Sequence, residues 1–509
     1  MMTMDQIAKG LSDLYAEHSR KLWVQYTSGY DLGVQAAQNE VNEFQRNAKN
    51  FETICNVLEK SSDGHEKRKA KILHNSFKKF HQSEKVQKVL EQIQVLENSI
   101  MDLVNKSRPV LDGKETTSTE IGKILSQSPD RALRQRAYEC RLPLNQKLID
   151  AGFIKLLDLR KELAAISGYK SFVDYKLEED ELNSEIFQTW LEDCKARKTK
   201  FRAKANTIAQ KHLGVEELAP WDYRYLNTKL CSYNQAEVDM TDFYKPIAKT
   251  FLKFGFDIEG INLTYDVFPR KNKSEWGYNF TIEIGKDSRI LANVTKYFSS
   301  YNVLLHETAH GVHFMGLNSD EYALNSGVSG IVAEGFANYF GSLSYSKEFL
   351  DEVFPAETAA KAFASFQEVQ SLSHFQNFRF IPEILFDQQL YFKDVRNGDD
   401  IQSLHQSLSQ DILGAGHYQA TWSSTIHHTS HPIYLHNYFL GDVMCENMKD
   451  VFKKRNGGKT ADQSPLEFGR LWKEQVLAPS AKYPFLDLYE KICEEKLSIS
   501  SYLDSHCLA

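Results

Sequence analysis

In the stretch VQKVLEQIQVLENSIMDLVNK, Val86, Val89, Leu90, Ile93, Ile100, Leu103 and Val104 recur three and four positions apart. That spacing gathers side chains on one face of a helix. The same periodicity runs from residue 4 to about 210, and only 12 prolines occur in 509 residues. No low-complexity linker and no repeat of fixed period breaks the chain. The predicted fold class is therefore mainly α, with residues 1–509 forming one unit. Within it, an N-terminal helical part spans 1–180, and a second part, 181–509, carries the candidate chemistry.

The pattern changes once. Tyr278, Phe280, Ile282 and Ile284 alternate with Asn279, Thr281 and Glu283 ahead of a Gly285-Lys286-Asp287 turn, and a second run, RILANV, follows. Alternation across a turn predicts a β-hairpin. The chain then leads through TKYFSSYN into a helical stretch, so a small β-sheet is expected beside that helix.

Bulk properties exclude several partner classes. A net charge of −7 argues against a nucleic-acid footprint. Residues 65–80, HEKRKAKILHNSFKKF, are locally basic, but the interleaved Ile72, Leu73, Phe77 and Phe80 fit one helix with a solvated basic face. No run approaches the roughly 20 apolar residues that cross a bilayer, and the polar start does not fit a secretory signal. Seven scattered cysteines show no Cys-x-x-Cys spacing, so neither a disulfide framework nor a thiolate zinc site is indicated. A cytoplasmic protein with no membrane and no nucleic-acid partner is expected, as a monomer or a weak homo-oligomer.

The chemistry starts at LLHETAHGVHF, residues 304–314, which sets His306, Glu307 and His310 in the order His-Glu-x-x-His. Positions i and i+4 share a helix face, so the two imidazoles can aim at one point. Glu307 lies about 100° round the helix, where it can serve a metal-held water as general base without being a ligand. By chance such a string occurs on the order of a few times per hundred chains of this size, so context decides. Glu334, in GIVAEGFANYFGSL, lies on a second predicted helix 24 residues after His310, with Gly327 and Gly330 marking the turn between. His306, His310 and Glu334 make a candidate ligand set for one zinc ion per chain. His313 suits a packing or supporting role better than metal contact. The place four residues after the ligand glutamate, acidic in thermolysin-type sites, holds Asn338.

A second concentration of polar groups, STIHHTSHPIYLHNYFLG at 424–441, carries His427, His428, His431, His436, Tyr434 and Tyr438 behind the Gly-bearing LGAGHYQATW. As a cluster it reads as a polar cleft wall able to supply an oxyanion donor.

Several segments in order from about 128 to 445 resemble the oligoendopeptidase F and thimet oligopeptidase family of zinc peptidases. They are SPDRALRQRAYE, LDLRKELAAISGYKSFVDYKL, LAPWDYRY, VFPRKNKSEWGY and ILANVTKYFSSYNVLLHETAHGVH. The resemblance implies a large helical ellipsoid with a deep substrate channel. It implies His306, His310 and Glu334 as zinc ligands and Glu307 as general base. It further implies His427 at the cleft wall and Tyr434 and Tyr438 near the scissile carbonyl. His436 stands where relatives often have another tyrosine, and GFANYFGSL replaces the family's Ser-Gln and second glutamate. The N-terminal part is short for the family.

The expected function is a zinc metalloendopeptidase that hydrolyses short, unfolded peptides by Glu307-assisted attack of a zinc-held water. A metallocarboxypeptidase of similar helical fold and a catalytically silent peptide-binding protein are the alternatives. Which bonds are cut, and the parts played by His313, His428, His431 and His436, are not legible at this level.

Overall fold

The long apolar periodicities become long helices with identifiable caps. In the computed structural model, which describes residues 2–274, 277–318 and 320–509, the opening helix Met4–Ser28 begins at a capping box. There, Thr3 and Gln6 satisfy each other's main-chain N–H groups. It ends at Gly29, whose φ of 78° is the left-handed conformation that glycine tolerates best. The helix Glu84–Lys106 covers the repeat quoted above and is capped by Ser83. The basic stretch forms the helix Gly64–Phe77, with Ala70, Ile72, Leu73 and Phe77 buried. Of its cations, Lys69 lies near Asp5, Glu66 and Glu321, so part of the basic face is neutralised within the protein. No helix among the described residues is long and apolar enough to cross a membrane.

The chain packs as two compact units, each drawn from separate stretches. The first holds residues 1–82, 233–363 and 440–497, and the second holds 83–232, 364–439 and 498–509.

In the second unit a short antiparallel hairpin, β1 (Val110–Leu111) and β2 (Lys114–Glu115), interrupts the helices. Its turn at Asp112-Gly113 has positive φ at both residues, the mark of a type I′ turn. The Asp222 of the PWDYRY segment is fully buried in this unit. Arg134 donates to it at 2.8 Å, Arg131 grips it from a second side, and the Ala219 N–H donates at 2.9 Å. Two of the segments quoted above are thus partners in one buried ion pair, whose one-sided removal costs about 3–5 kcal/mol.

In the first unit Ile7, Leu11, Val41, Ile54, Leu73 and Phe77 form one core. The predicted hairpin is present as β4 (Tyr278–Glu283) and β5 (Asp287–Leu291), turning at Gly285. A strand not read from the sequence, β3 (Leu263–Asp266), pairs parallel to β5, so the order is β3-β5-β4 with β4 at one edge. Trp23 from the opening helix packs edge-on against Phe280, with Ile282 and Leu291 beside them. The VFPRKNKSEWGY segment ties the sheet together. Buried Lys273 donates to the carbonyls of Asp266, Phe268 and Ala292 and pairs with Asp266, which Arg270 also grips. Its Glu275-Trp276 lie outside the described residues.

Candidate metal centre

The helix Ser300–Met315 turns Leu304, Leu305, Ala309 and Val312 inward and lies directly on the sheet. Gly311 permits this, because a Cβ there would meet Leu263 of β3 at 2.6 Å and Ile290 of β5 at 3.2 Å. Tyr265 on β3 pairs its hydroxyl with Thr308 at 3.1 Å. The helix is therefore fixed in depth and in rotation, which leaves His306, Glu307 and His310 on its other face.

A second helix, Gly330–Ser342, starts at Ser329, whose side chain caps Ile331 N–H. It locks to the first through Asn302, which donates to the Gly341 carbonyl at 2.9 Å. Close approach again needs glycine, since a Cβ on Gly341 would touch His306 Cβ at 3.3 Å. The outcome is that Glu334 faces both histidines.

His306 Nε2 and His310 Nε2 are 3.2 Å apart, and Glu334 Oε2 is 3.8 and 3.9 Å from them. A point equidistant from these three atoms lies about 2.1 Å from each, the bond length of a first-row metal ion to imidazole or carboxylate. Glu334 Oε2 is buried with no hydrogen-bond partner in the protein. Two imidazoles and a carboxylate suit such an ion.

The electrostatics agree. Burial lowers His306 to about 4 despite a main-chain hydrogen bond at Ala337, and burial with the neighbouring imidazoles holds His310 well below its usual value. Both histidines are therefore neutral near pH 7, the form that binds metal. Burial pushes Glu334 up to about 7, with the charge of Asp442 adding to it. Burial likewise raises Glu307 to about 8, with Glu334 adding to it. A pocket that disfavours two carboxylate charges is one in which a dication reverses the balance.

Glu307 sits where the sheet begins. It takes a main-chain hydrogen bond at Asn279, and a Cβ on Gly277 would stand 3.3 Å from its Oε1. Asn338 donates to Asp442 Oδ1 at 3.0 Å. The carboxylate missing at 338 is thus supplied beside Glu334 by Asp442, a residue the sequence reading did not single out. His313 is 1% exposed, packs edge-on to Phe314 and Phe336, and stays neutral, with burial lowering it to about 4.

In the second unit, residues 424–438 sort the histidines by face. His427, Tyr434 and Tyr438 come together on the open side: His427 lies 6.2 Å from Tyr434 and 6.1 Å from Tyr438, and the tyrosines are 5.5 Å apart, ring centre to ring centre. His431 is exposed beside Ser430. His428 and His436 turn inward, the latter 3.6 Å from Asp180 and edge-on to Phe187. Burial, then the charge of His428, lowers His427.

Residues 124–255 match the model of peptidase family M3. Over that segment the chain is similar to the M3 peptidases. The fold agrees over nearly its whole length. PZ peptidase A, solved with an inhibitor, superposes with a TM-score of 0.73 at 15% identity, over 98% of this chain and 91% of that one. A protein assigned as oligoendopeptidase F gives 0.71 at 16%, over 99% and 90%. A carboxypeptidase of Pyrococcus furiosus gives 0.69 at 14%, over 99% and 98%. At these identities the structural likeness is one of fold. No curated protein matches the sequence. The helical fold is shared with these peptidases, and the mainly α class with a small sheet beside the site helix holds.

Proposed function

We propose that this protein is a zinc oligopeptidase acting on short, extended peptides. The observation that carries the reading is the three-atom cradle of His306, His310 and Glu334 with Glu307 beside it. His306, His310 and Glu334 would hold the zinc ion, which would supply Lewis acidity for the carbonyl and for a nucleophilic water at neutral pH. Glu307 then takes the proton of the attacking water and delivers it to the leaving amine. His427, Tyr434 and Tyr438 have the role of donors to the carbonyl oxygen as it becomes an oxyanion.

Substrate choice follows from the sheet. β4 stands at the edge of its sheet, and the residue just before it, Gly277, lies against Glu307. An extended peptide adding to that edge through main-chain hydrogen bonds runs past the general base in one register, whatever its side chains.

A carboxypeptidase is the second reading, favoured by one observation. This chain covers 98% of the Pyrococcus furiosus carboxypeptidase but 90% of the oligoendopeptidase F. Purified protein is expected to hold about one zinc per chain. It should cleave an internally quenched peptide whose C-terminus is amidated, and lose that activity to a chelator. Release of single C-terminal residues from free peptides only would establish the carboxypeptidase instead. Zinc-free protein without turnover would exclude both.

A further inference from the structure

The open face that carries His427 and Tyr434 has little regular structure of its own. Two 3-10 turns, Trp422–Ser424 and Ile426–His428, precede an irregular run to residue 435. Its shape is imposed from beneath, by side chains that reach its main chain. Arg160, 1% exposed, donates to the Thr429 carbonyl and, at 3.5 Å, to that of His428. The same guanidinium is held by Glu97 and Tyr391.

The tightest restraint is at Asp387, itself 1% exposed on the helix Ala356–Phe392. Its Oδ2 accepts the Ile433 N–H at 2.7 Å. Ile433 has a φ of 57°, a left-handed conformation that a β-branched residue keeps only when its surroundings over-determine it. The other oxygen, Oδ1, faces His428 Nδ1 at 3.7 Å. His428 is fully buried, and its Nε2 lies 3.4 Å from Glu383 Oε2. Glu383 reaches His405 at 2.8 Å with its remaining oxygen, and Phe386 stands edge-on to both imidazoles.

The positions of these anchors matter. His428 directly follows His427, and Ile433 directly precedes Tyr434. One carboxylate therefore hydrogen-bonds one flank of the open face and lies within ion-pair distance of the other, and no member of the metal cradle takes part.

We propose that Asp387 is a positioning residue: by accepting the Ile433 N–H with one oxygen and standing within ion-pair distance of the His428 imidazole with the other, it holds His427 and Tyr434 at the spacing from which they serve a peptide carbonyl. The role in turnover rests on the reading of that face as the oxyanion donor. The restraint on the backbone does not, which allows the two to be tested apart.

The test compares metal-loaded full-length Asp387→Ala, Asp387→Asn and His428→Gln with the wild type, by hydrogen–deuterium exchange and by peptide turnover. Asn keeps an oxygen for Ile433 N–H, whereas Ala does not. In Asp387→Ala the amides of 425–435 should exchange at least about tenfold faster, and kcat should fall about tenfold or more with KM and zinc content little changed. Asp387→Asn should recover most of both losses. Equal exchange in wild type and Asp387→Ala, or Asn behaving as Ala does, overturns the proposal. Should Asp387→Ala not fold, His428→Gln decides: faster exchange in 425–435 with a kcat loss supports the proposal, and unchanged exchange overturns it. Wild-type protein without peptidase activity would defeat the oligopeptidase reading, while the exchange comparison would still decide the restraint.

Discussion

Gly335 and Gly441 touch backbone to backbone. A Cβ on Gly335 would lie 2.7 Å from the Gly441 carbonyl oxygen, and one on Gly441 would lie 2.8 Å from the Gly335 nitrogen. The obstacle is main chain, which cannot rotate away as a side chain can. The contact comes one residue after Glu334 and one before Asp442, so it sets how closely these two carboxylates approach. Gly335→Ala is expected to cost about 1–3 kcal/mol through overpacking and to weaken metal binding by displacing Glu334. Urea unfolding and metal titration check this, and a variant as stable and as metal-replete as wild type would contradict it.

Asp442 stands in for charge at the uncharged position 338. It accepts the Asn338 amide at 3.0 Å, and its charge contributes to raising Glu334. A negative group near a cation site strengthens cation binding, and removing such supports typically costs about 10–100-fold in metal affinity. Asp442→Asn should therefore bind zinc more weakly by at least about tenfold in a competition titration against a chromophoric chelator. Unchanged affinity would mean that Asp442 braces Asn338 without acting on the metal.

His428 predicts a pH dependence of stability. Burial disfavours its charge, but its contacts with Asp387 and Glu383 outweigh burial and raise it from 6.5 to about 9. Between those values the folded state holds a proton that the unfolded chain has released, so stability falls as pH rises. The contribution is complete below pH 6.5 and is lost on passing through about 9. The thermal midpoint should accordingly decline between about pH 7 and 9, with a shallower decline in His428→Gln. Identical slopes would rule out the charged pair.

What could be read from the sequence is what lies close together along it. His306, Glu307 and His310 share two turns of one helix, and Glu334 lies on the next well-formed helix, so spacing alone suggested the set the fold brings together. The hairpin was legible because alternation and turn chemistry agree at Tyr278–Glu283 and Gly285. β3 was not, because four residues pairing in parallel with a distant strand carry no local alternation. Arg134 with Asp222 and Asn338 with Asp442 are 88 and 104 positions apart, and nothing in either neighbourhood announces the other. The histidines of 427–436 were visible as a group, but which of them turn inward depends on distant partners such as Asp387 and Asp180, and the run between them takes a left-handed backbone at Ile433. An isoleucine gives no local sign of that conformation.

Glu307→Gln tests the central claim most directly. Glutamine keeps the size and the main-chain contact of Glu307 but cannot accept the proton of the attacking water, and it removes none of the three atoms of the cradle. The account predicts about one zinc per chain, as in wild type, together with a loss of at least about 100-fold in kcat for a quenched peptide. Wild-type turnover by Glu307→Gln, with zinc still bound, would contradict it.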